Sequence, residues 1–141
     1  MKLAAIITCF SLFYLTGCQS TQATFTQQLI PHTFQLISIG QDKLSDSAIV
    51  LRFNEGMRVN GFAGCNQFFG QGMVSDGRFR IEQLGMTRKL CTAEINQLEQ
   101  QLFAMLTADS VMTLKQNILT LNADSQVQFM KVTTHTPLIN P

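Results

Sequence analysis

The stretch of residues 61–91, GFAGCNQFFGQGMVSDGRFRIEQLGMTRKLC, constrains the fold more than any other part of the chain. It contains Cys65, Cys91 and six of the nine glycines in the sequence. Glycine at this density permits backbone angles and close approaches that a Cβ atom would forbid. Cys65 and Asn66 lie where a predicted strand stops, and Cys91 lies just before a predicted amphipathic helix. We therefore interpret residues 61–91, called the bracket below, as the segment that ties a sheet to a helix.

The N-terminus has the pattern of a bacterial export signal. Lys2 supplies a positive charge, and residues 3–15 form an apolar run that is too short to span a membrane comfortably. The run leads into Leu15-Thr16-Gly17-Cys18, which matches the lipobox of bacterial lipoproteins. We predict a signal peptide at residues 1–17 and lipidation of Cys18 by three acyl chains, whose buried methylenes make the anchor practically permanent. The alternative is an ordinary secretory signal with a cysteine nearby.

The sequence after the signal divides into three segments. Residues 18–30 are rich in Ser, Thr and Gln and predict a lipidated flexible tether. Residues 31–134 predict one domain, and residues 135–141, which contain two prolines, predict a loose tail. The residue after Cys18 is Gln19. An aspartate at this position would direct a lipoprotein to the inner membrane, so Gln19 resembles the sorting signal of outer-membrane lipoproteins. We therefore predict a protein anchored on the periplasmic face of the outer membrane.

The charge of the mature chain excludes one broad class of partner. The chain contains ten basic and nine acidic side chains, and one of the ten basic side chains, Lys2, belongs to the predicted signal peptide. The mature chain is therefore formally neutral. A general nucleic-acid binder needs a basic excess to displace counterions, so no nucleic-acid partner is predicted.

Hydrophobic periodicity predicts an α+β fold. Alternating patterns predict strands at residues 33–39, 48–54, 57–63, 70–74, 78–82, 111–115, 118–122 and 127–132. Asp76-Gly77 supplies the positive φ angles of a hairpin turn. One helix is predicted from Ala93 to about Leu106, with Thr92 as its N-cap. Because strands and helices do not alternate, we predict a curved antiparallel sheet, a partial barrel of about seven or eight strands, packed with one main helix.

The two cysteines of the bracket have three interpretations. An exported protein favours a disulfide between Cys65 and Cys91, and closing a loop of 26 residues would stabilise the fold by about 3.5 kcal/mol. Two buried free thiols and a redox-active pair are the alternatives. The Cys-X-X-Cys spacing that commonly lowers a thiol pKa is absent from the sequence.

Catalytic and metal chemistry find little support in the sequence. A zinc site would have to combine Cys65 and Cys91 with His32 and His135, which lack the paired spacing of zinc ligands. Either histidine could activate a cysteine only through a fold that no motif suggests. The carboxylates Glu94 and Glu99 are five residues apart on the predicted helix and should point in different directions. No cofactor, metal or catalytic residue is predicted.

Three groups of residues have both a structural and a functional interpretation. Asn66 and Thr87 are hydrogen-bonding residues where the strand breaks and the helix approaches, and a ligand is the alternative partner. Phe68-Phe69 with Met73 predict buried core or, alternatively, a hydrophobic lip. Outward positions of neighbouring strands carry either solvated charges or an anion-binding face; these positions are Arg52, Arg58, Arg78 and Arg80.

The bracket resembles a META domain of the HslJ-type, heat-shock-inducible bacterial lipoproteins. The matching residues are Asn60-Gly61, Gly64-Cys65-Asn66, Phe68, Gly70, Gly85-Met86-Thr87-Arg88 and Cys91. The resemblance covers essentially all of the mature chain. It implies a small barrel-like α+β domain in the periplasm, linked to stress and to resistance against novobiocin-type antibiotics, with no established catalysis. We take Asn66, Phe68, Thr87 and Arg88 as its candidate binding or structural motif.

These observations lead to two expectations about function. The first is a non-enzymatic outer-membrane lipoprotein that binds or scaffolds an envelope component, such as an envelope protein, lipopolysaccharide or peptidoglycan. The second is a carrier of a small apolar ligand inside the curved sheet. A carrier predicts a cavity lined by Phe, Leu and Met, whereas a scaffold predicts a filled core.

Overall fold

A computed structural model describes residues 21–44 and 47–133. The helices are α1 (Thr21–Leu29) and α2 (Ala93–Thr107), and a single 3-10 turn covers Glu55–Met57. The strands are β1 (Thr33–Ile39), β2 (Asp42–Lys43), β3 (Val50–Phe53), β4 (Arg58–Phe62), β5 (Gln67–Ser75), β6 (Arg78–Met86), β7 (Ser110–Lys115), β8 (Ile118–Asn122) and β9 (Gln126–Lys131). Neither helix in these ranges has the length and apolar character that a membrane-spanning helix needs.

The strands form one antiparallel sheet that closes on itself. Their order is β2-β1-β3-β4-β5-β6-β7-β8-β9, and β1 pairs with β9 as well, so that the sheet becomes a ring with β2 as an outlying edge strand. The junction between β6 and β7 is narrow, because only two residue pairs join them. Helix α2 connects these two strands and packs against β6. The predicted α+β class, with an antiparallel sheet and one main helix, is confirmed.

One hydrophobic core fills the ring. The alternating residues Ile49, Leu51 and Phe53 are buried as their pattern predicts. Phe53 makes edge contacts with the rings of Phe34 and Phe79, each with centroids 5.7 Å apart. Further fully buried side chains come from β5, β8, β9 and α2, and they include Phe68, Phe129, Leu102, Leu106, Leu119 and Leu121.

Helix α1 corrects the predicted tether. Residues 18–30 were predicted to be flexible, yet Thr21–Leu29 is helical, Leu29 is fully buried, and Phe25 packs against the core. Phe25 and Leu29 are four residues apart and lie on one face of the helix, so a short apolar pair within a polar segment attaches it to the domain. The predicted signal peptide with Cys18, and the tail at 135–141, lie outside the described residues.

Candidate functional site

The bracket contains a disulfide between Cys65 and Cys91, so the first of the three interpretations of these cysteines is confirmed. Cys65 follows the end of β4, and Cys91 comes two residues before α2. Their Cα atoms are 6.3 Å apart, within the usual range for a disulfide. The bond therefore ties the β4–β5 connection to the start of the helix.

Asn66 connects three segments of the chain. Its side chain is buried, and its Nδ2 donates to Glu99 Oε2 at 2.8 Å. Its Oδ1 accepts hydrogen bonds from Thr87 Oγ1 at 2.9 Å and from the backbone N–H of Lys89 at 2.8 Å. Asn66 thereby joins the β4–β5 connection to α2 and to the segment between β6 and α2.

Glu99 is the residue that the sequence interpretation missed. It lies on α2 and is buried, with 5% of its surface exposed. Its carboxylate accepts the backbone N–H of Cys65 at 3.1 Å and that of Asn66 at 2.6 Å, besides the Asn66 amide. A signal was present in the sequence: Glu99 lies four residues after Ile95 and three before Leu102, inside the apolar stripe of the helix. A carboxylate in such a stripe requires hydrogen-bond donors from elsewhere in the fold.

Thr87 continues the pairing of β5 and β6 into the bracket. Its backbone N–H donates to the Gln67 carbonyl at 2.9 Å, and its Oγ1 accepts the Gln67 N–H at 3.1 Å. The same hydroxyl donates to Asn66. Arg88, the next residue, is exposed. Thr87 therefore belongs to the hydrogen-bond network of Asn66 and Glu99, whereas Arg88 lies at its surface.

The polar groups of this network are occupied by one another. Across residues 21–44 and 47–133, no buried side-chain nitrogen or oxygen atom lacks a hydrogen-bond partner. The side-chain nitrogen and oxygen of Asn66 and both carboxylate oxygens of Glu99 take part in hydrogen bonds within the protein. These hydrogen bonds hold α2 against the sheet. They agree with the structural interpretation of Asn66 and Thr87, in which the two side chains bond to other parts of the protein.

An open groove of about 460 Å³ lies beside the network. Exposed side chains of Arg88 and Lys89 form part of it, and Phe103 of α2 is also in its wall. Its other lining residues are Asn66, Met86, Thr87, Asn96, Glu99 and Gln100. Phe68 is not among them, because its ring lies in the core at 5.6 Å from the ring of Phe103.

The adjacent aromatic residues of β5 point in opposite directions. Phe68 is buried, whereas Phe69 is 60% exposed and Met73 is 40% exposed. Burial was the favoured prediction for all three, and the structure corrects it for Phe69 and Met73. The reason is the two-residue period of a strand, which sends neighbouring side chains to opposite faces of the sheet.

The structure separates the four outward arginines into two pairs. Arg80 contacts Glu82 at 2.7 Å and Asp109 at 3.6 Å, and Arg78 lies 3.9 Å from Asp109. The hydrogen bond that Arg80 donates to Glu82 raises the pKa of Arg80 above its ordinary value. In the part of the chain that the structure describes, Arg52 and Arg58 take part in no such ion pair. Two cations are therefore neutralised, and two remain available on another part of the sheet.

The described residues include one histidine and no cluster of metal-binding side chains. His32 lies between α1 and β1, where burial and then the charge of Lys131 lower its pKa. His135, the other histidine, lies outside the described residues. No group of three or more His, Cys, Asp or Glu side chains between residues 21 and 133, with 45 and 46 set aside, could hold a metal ion. Glu94 is exposed and Glu99 is buried, so these two carboxylates do point in different directions.

The chain is similar to a known protein family, to a heat shock protein and to solved structures. The META domain family matches residues 27–135. The heat shock protein HslJ of Escherichia coli K12 is 33% identical over 137 residues, which is 94% of this chain and 96% of that protein. A protein structure solved by NMR is 29% identical, with a TM-score of 0.64 over 74% of this chain and 92% of its own. An NMR structure of a protein from Burkholderia xenovorans, at 23% identity, shares the fold with a TM-score of 0.60 over 78% and 88% of the two chains.

Proposed function

Since the chain belongs to the META domain family, we propose that it is a heat-shock-related lipoprotein that binds or scaffolds an envelope component through its outer surface. In this proposal the protein is not an enzyme. The name of its E. coli relative supports the link to heat shock. The lipobox at Leu15-Thr16-Gly17-Cys18 supports a lipid anchor at Cys18 on the periplasmic face of the outer membrane.

The observation that carries this proposal is the filled interior of the ring. A carrier needs an apolar cavity that buries most of its ligand. Here the corresponding space is occupied by the side chains of the core, among them Phe53 and the rings of Phe34 and Phe79, each of which contacts Phe53 edge to face. Interiors packed in this way leave few voids larger than a water molecule. A filled core supports binding at the outside of the domain over carriage of a small apolar ligand within it.

The bracket supports the same proposal in a different way. The disulfide between Cys65 and Cys91, and the three hydrogen bonds that the buried Glu99 of α2 accepts from Cys65 and Asn66, hold α2 against the sheet. A rigid domain keeps its surface groups in fixed positions before a partner arrives, which reduces the entropy lost on binding. The stress link fits a scaffold of this kind, because a braced fold keeps its binding surface at raised temperature.

In-cell photo-crosslinking tests the proposal. A photoreactive residue is placed in turn at exposed positions on different sides of the domain: Phe69, Leu90, Val111 and Met130. In cells grown at raised temperature, we expect at least one position to crosslink to a component of the envelope. The Cys18→Ser chain should lose or weaken that product, because it is no longer held at the membrane. Absence of envelope products from all four positions would contradict the proposal.

Antibiotic resistance is a separate part of the proposal and has its own test. We expect cells that lack this protein to become more sensitive to novobiocin, and the native chain to restore growth. The Cys18→Ser chain should restore it less well, because the protein would act at the membrane. Equal sensitivity with and without the protein would remove resistance from the proposed function and leave the crosslinking result unaffected.

A further inference from the structure

Phe69 is a large aromatic side chain in a fixed position at the surface. It lies in β5 and is 60% exposed. Its ring covers Gly85 of the neighbouring strand, since a Cβ atom at Gly85 would lie 2.6 Å from the Cζ atom of that ring. The glycine therefore leaves space for the ring to lie against the backbone of β6. Phe69 thus presents a flat apolar surface to solvent from a defined position.

Strand register places two arginines on the same face of the sheet as this ring, one on the neighbouring strand β4 and one on β3 beyond it. Phe69 pairs with Asn60 on β4, and Asn60 pairs with Arg52 on β3. Arg58 lies two residues before Asn60 on the same face of β4, so Arg52 and Arg58 are diagonal neighbours, with Cα atoms about 7–8 Å apart. We call the surface formed by Arg52, Arg58, Asn60 and Phe69 the Phe69 face.

Two open grooves meet on the Phe69 face. Both are lined by Asn60 and Phe69; one, of about 500 Å³, also includes Arg58, and the other, of about 320 Å³, includes Arg52. Side-chain amides are frequent along both grooves, and they belong to Asn54, Gln67, Gln71 and Gln83. Asn54 donates to Asn60 Oδ1 at 2.7 Å and Gln71 donates to the Gly56 carbonyl at 2.9 Å, whereas the side chains of Gln67 and Gln83 make no hydrogen bond within the described residues. The surface therefore combines an aromatic ring, two cations and two amides that can donate and accept hydrogen bonds.

The charge of the Phe69 face is unbalanced. The residues that line the two grooves include these two arginines and no acidic residue, and the exposed Glu55, which follows Asn54 in the chain, is not among them. The ion pairs of the described residues use Arg78 and Arg80 instead. Arg52 is oriented by a hydrogen bond of 3.0 Å from its Nε to Thr33 Oγ1, which leaves its two terminal nitrogens free of that bond. The face is thus complementary to an anion.

We propose that the Phe69 face binds a phosphorylated saccharide, as presented by the sugar headgroup of lipopolysaccharide. A phosphate group offers three acceptor oxygens and up to two negative charges, which suits a surface with two arginines that take part in no ion pair among the described residues. The C–H face of a sugar ring packs on the exposed face of Phe69, and the amides bond its hydroxyls. This inference rests on the proposed function and names the surface and the partner chemistry.

Titration calorimetry tests the inference with a defined probe. The chain from residue 19 onward, never reduced, is titrated with deacylated lipopolysaccharide and with the same saccharide after removal of its phosphates. We expect binding of the phosphorylated form, weakening as salt is raised, and at least tenfold weaker binding after dephosphorylation. Equal affinity for the two forms would overturn the proposal.

Matched variants locate the binding surface. The double change Arg52→Gln/Arg58→Gln should weaken binding at least tenfold, whereas Arg78→Gln/Arg80→Gln, which removes the same charge from the ion-paired side, should not. Phe69→Thr should weaken binding severalfold, and Met73→Thr, another exposed apolar residue of the same strand, should leave it unchanged. Circular dichroism of each variant establishes that it is folded. Equal losses in both arginine pairs would contradict a defined site.

The outcomes separate this inference from the proposed function. Equal or tighter binding of peptidoglycan fragments or of an acidic polypeptide would overturn the phosphorylated saccharide as the partner. Crosslinks to envelope components from positions other than Phe69, with no binding of the saccharide, would overturn the inference and support the proposed function. A chain that binds no saccharide and gives no crosslinks would overturn both.

Discussion

Glu99 places a negative charge inside the domain, and the fold compensates it with three N–H donors. Two of these are the backbone amides of Cys65 and Asn66, and the third is the side-chain amide of Asn66. A carboxylate that is buried without donors is costly, whereas one with several short bonds fixes the position of each donor. Glu99 therefore determines where the β4–β5 connection lies relative to α2.

Replacing Glu99 should destabilise the domain strongly. We expect Glu99→Ala to lower the free energy of unfolding by about 3 kcal/mol, because each buried donor left without a partner costs about 1–3 kcal/mol. Urea denaturation of the oxidised chain measures this change. Gln101→Ala, at an exposed position of the same helix, is the control and should stay within about 0.5 kcal/mol of the native chain. A Glu99→Ala chain as stable as the control would show that the network does not hold the helix.

His32 should make stability dependent on pH. Burial and the nearby Lys131 lower its pKa in the folded state below the ordinary value of 6.5. The unfolded chain therefore binds a proton more readily than the folded chain, and stability falls as pH decreases through 6.5, until the folded state is protonated as well. We expect the urea midpoint to fall between pH 7.5 and 5.5, and to fall less in His32→Gln. His135→Gln is the matched control; if it removes the dependence and His32→Gln does not, the assignment is wrong.

Most strands could be predicted from the sequence because their apolar residues alternate. The Asp76-Gly77 turn was also predictable, and both residues have positive φ, 50° and 72°. Strand β2 was not predicted, and β5 (Gln67–Ser75) and β6 (Arg78–Met86) are longer than the predicted strands at 70–74 and 78–82. Two further differences have identifiable reasons. Helix α1 was hidden by its polar composition, and Met57, predicted as the start of a strand, lies in a 3-10 turn with a φ of 59°. The alternation of apolar and polar residues along the chain predicts neither the helix at Thr21–Leu29 nor the positive φ of Met57.

The candidate site was less predictable than the fold. The sequence identified Cys65, Cys91, Asn66 and Thr87 as residues of one bracket, and the structure brings them together. It did not identify Glu99, because the partners of a buried carboxylate are 33 and 34 residues away in the chain. The different environments of the four arginines also depend on strand register, which periodicity alone does not specify.

Gly61 shows why the bracket requires glycine within a strand. It lies in β4 opposite Leu51, and a Cβ atom there would overlap the carbonyl oxygen of Val50 and approach the ring of Phe68. We expect Gly61→Ala to lower the free energy of unfolding by about 2 kcal/mol or more, since neither the backbone nor a packed ring can move freely. Thermal denaturation measures the loss. Gly40→Ala, where the surrounding space is open but φ is positive, should cost less, about 1 kcal/mol; equal costs would contradict the steric explanation.

The disulfide supports a ring whose weakest junction lies between β6 and β7. Two residue pairs join these strands, and α2, which connects them, is held at its start by Cys91. Sequence separation of 26 residues predicts that the bond contributes about 3.5 kcal/mol through loss of entropy in the unfolded chain.

Reduction should therefore lower the stability of the whole domain. We expect the urea midpoint of the chain from residue 19 to fall when a reductant is added. A Cys65→Ala/Cys91→Ala chain serves as the control, because its midpoint should already be low and should not respond to the reductant. An unchanged midpoint in the native chain would mean that the disulfide contributes little to folding.

The ring is filled by its core and braced by a disulfide, and we propose that it binds its partner at the outer surface. Native mass spectrometry of the chain from residue 19, purified from a periplasm without reduction, tests whether the interior holds a ligand. We expect the mass of the bare chain, lighter by two hydrogens for the bond between Cys65 and Cys91. A heavier species that releases a small apolar molecule only on collisional activation would contradict the filled core, because such a ligand would have to occupy the interior.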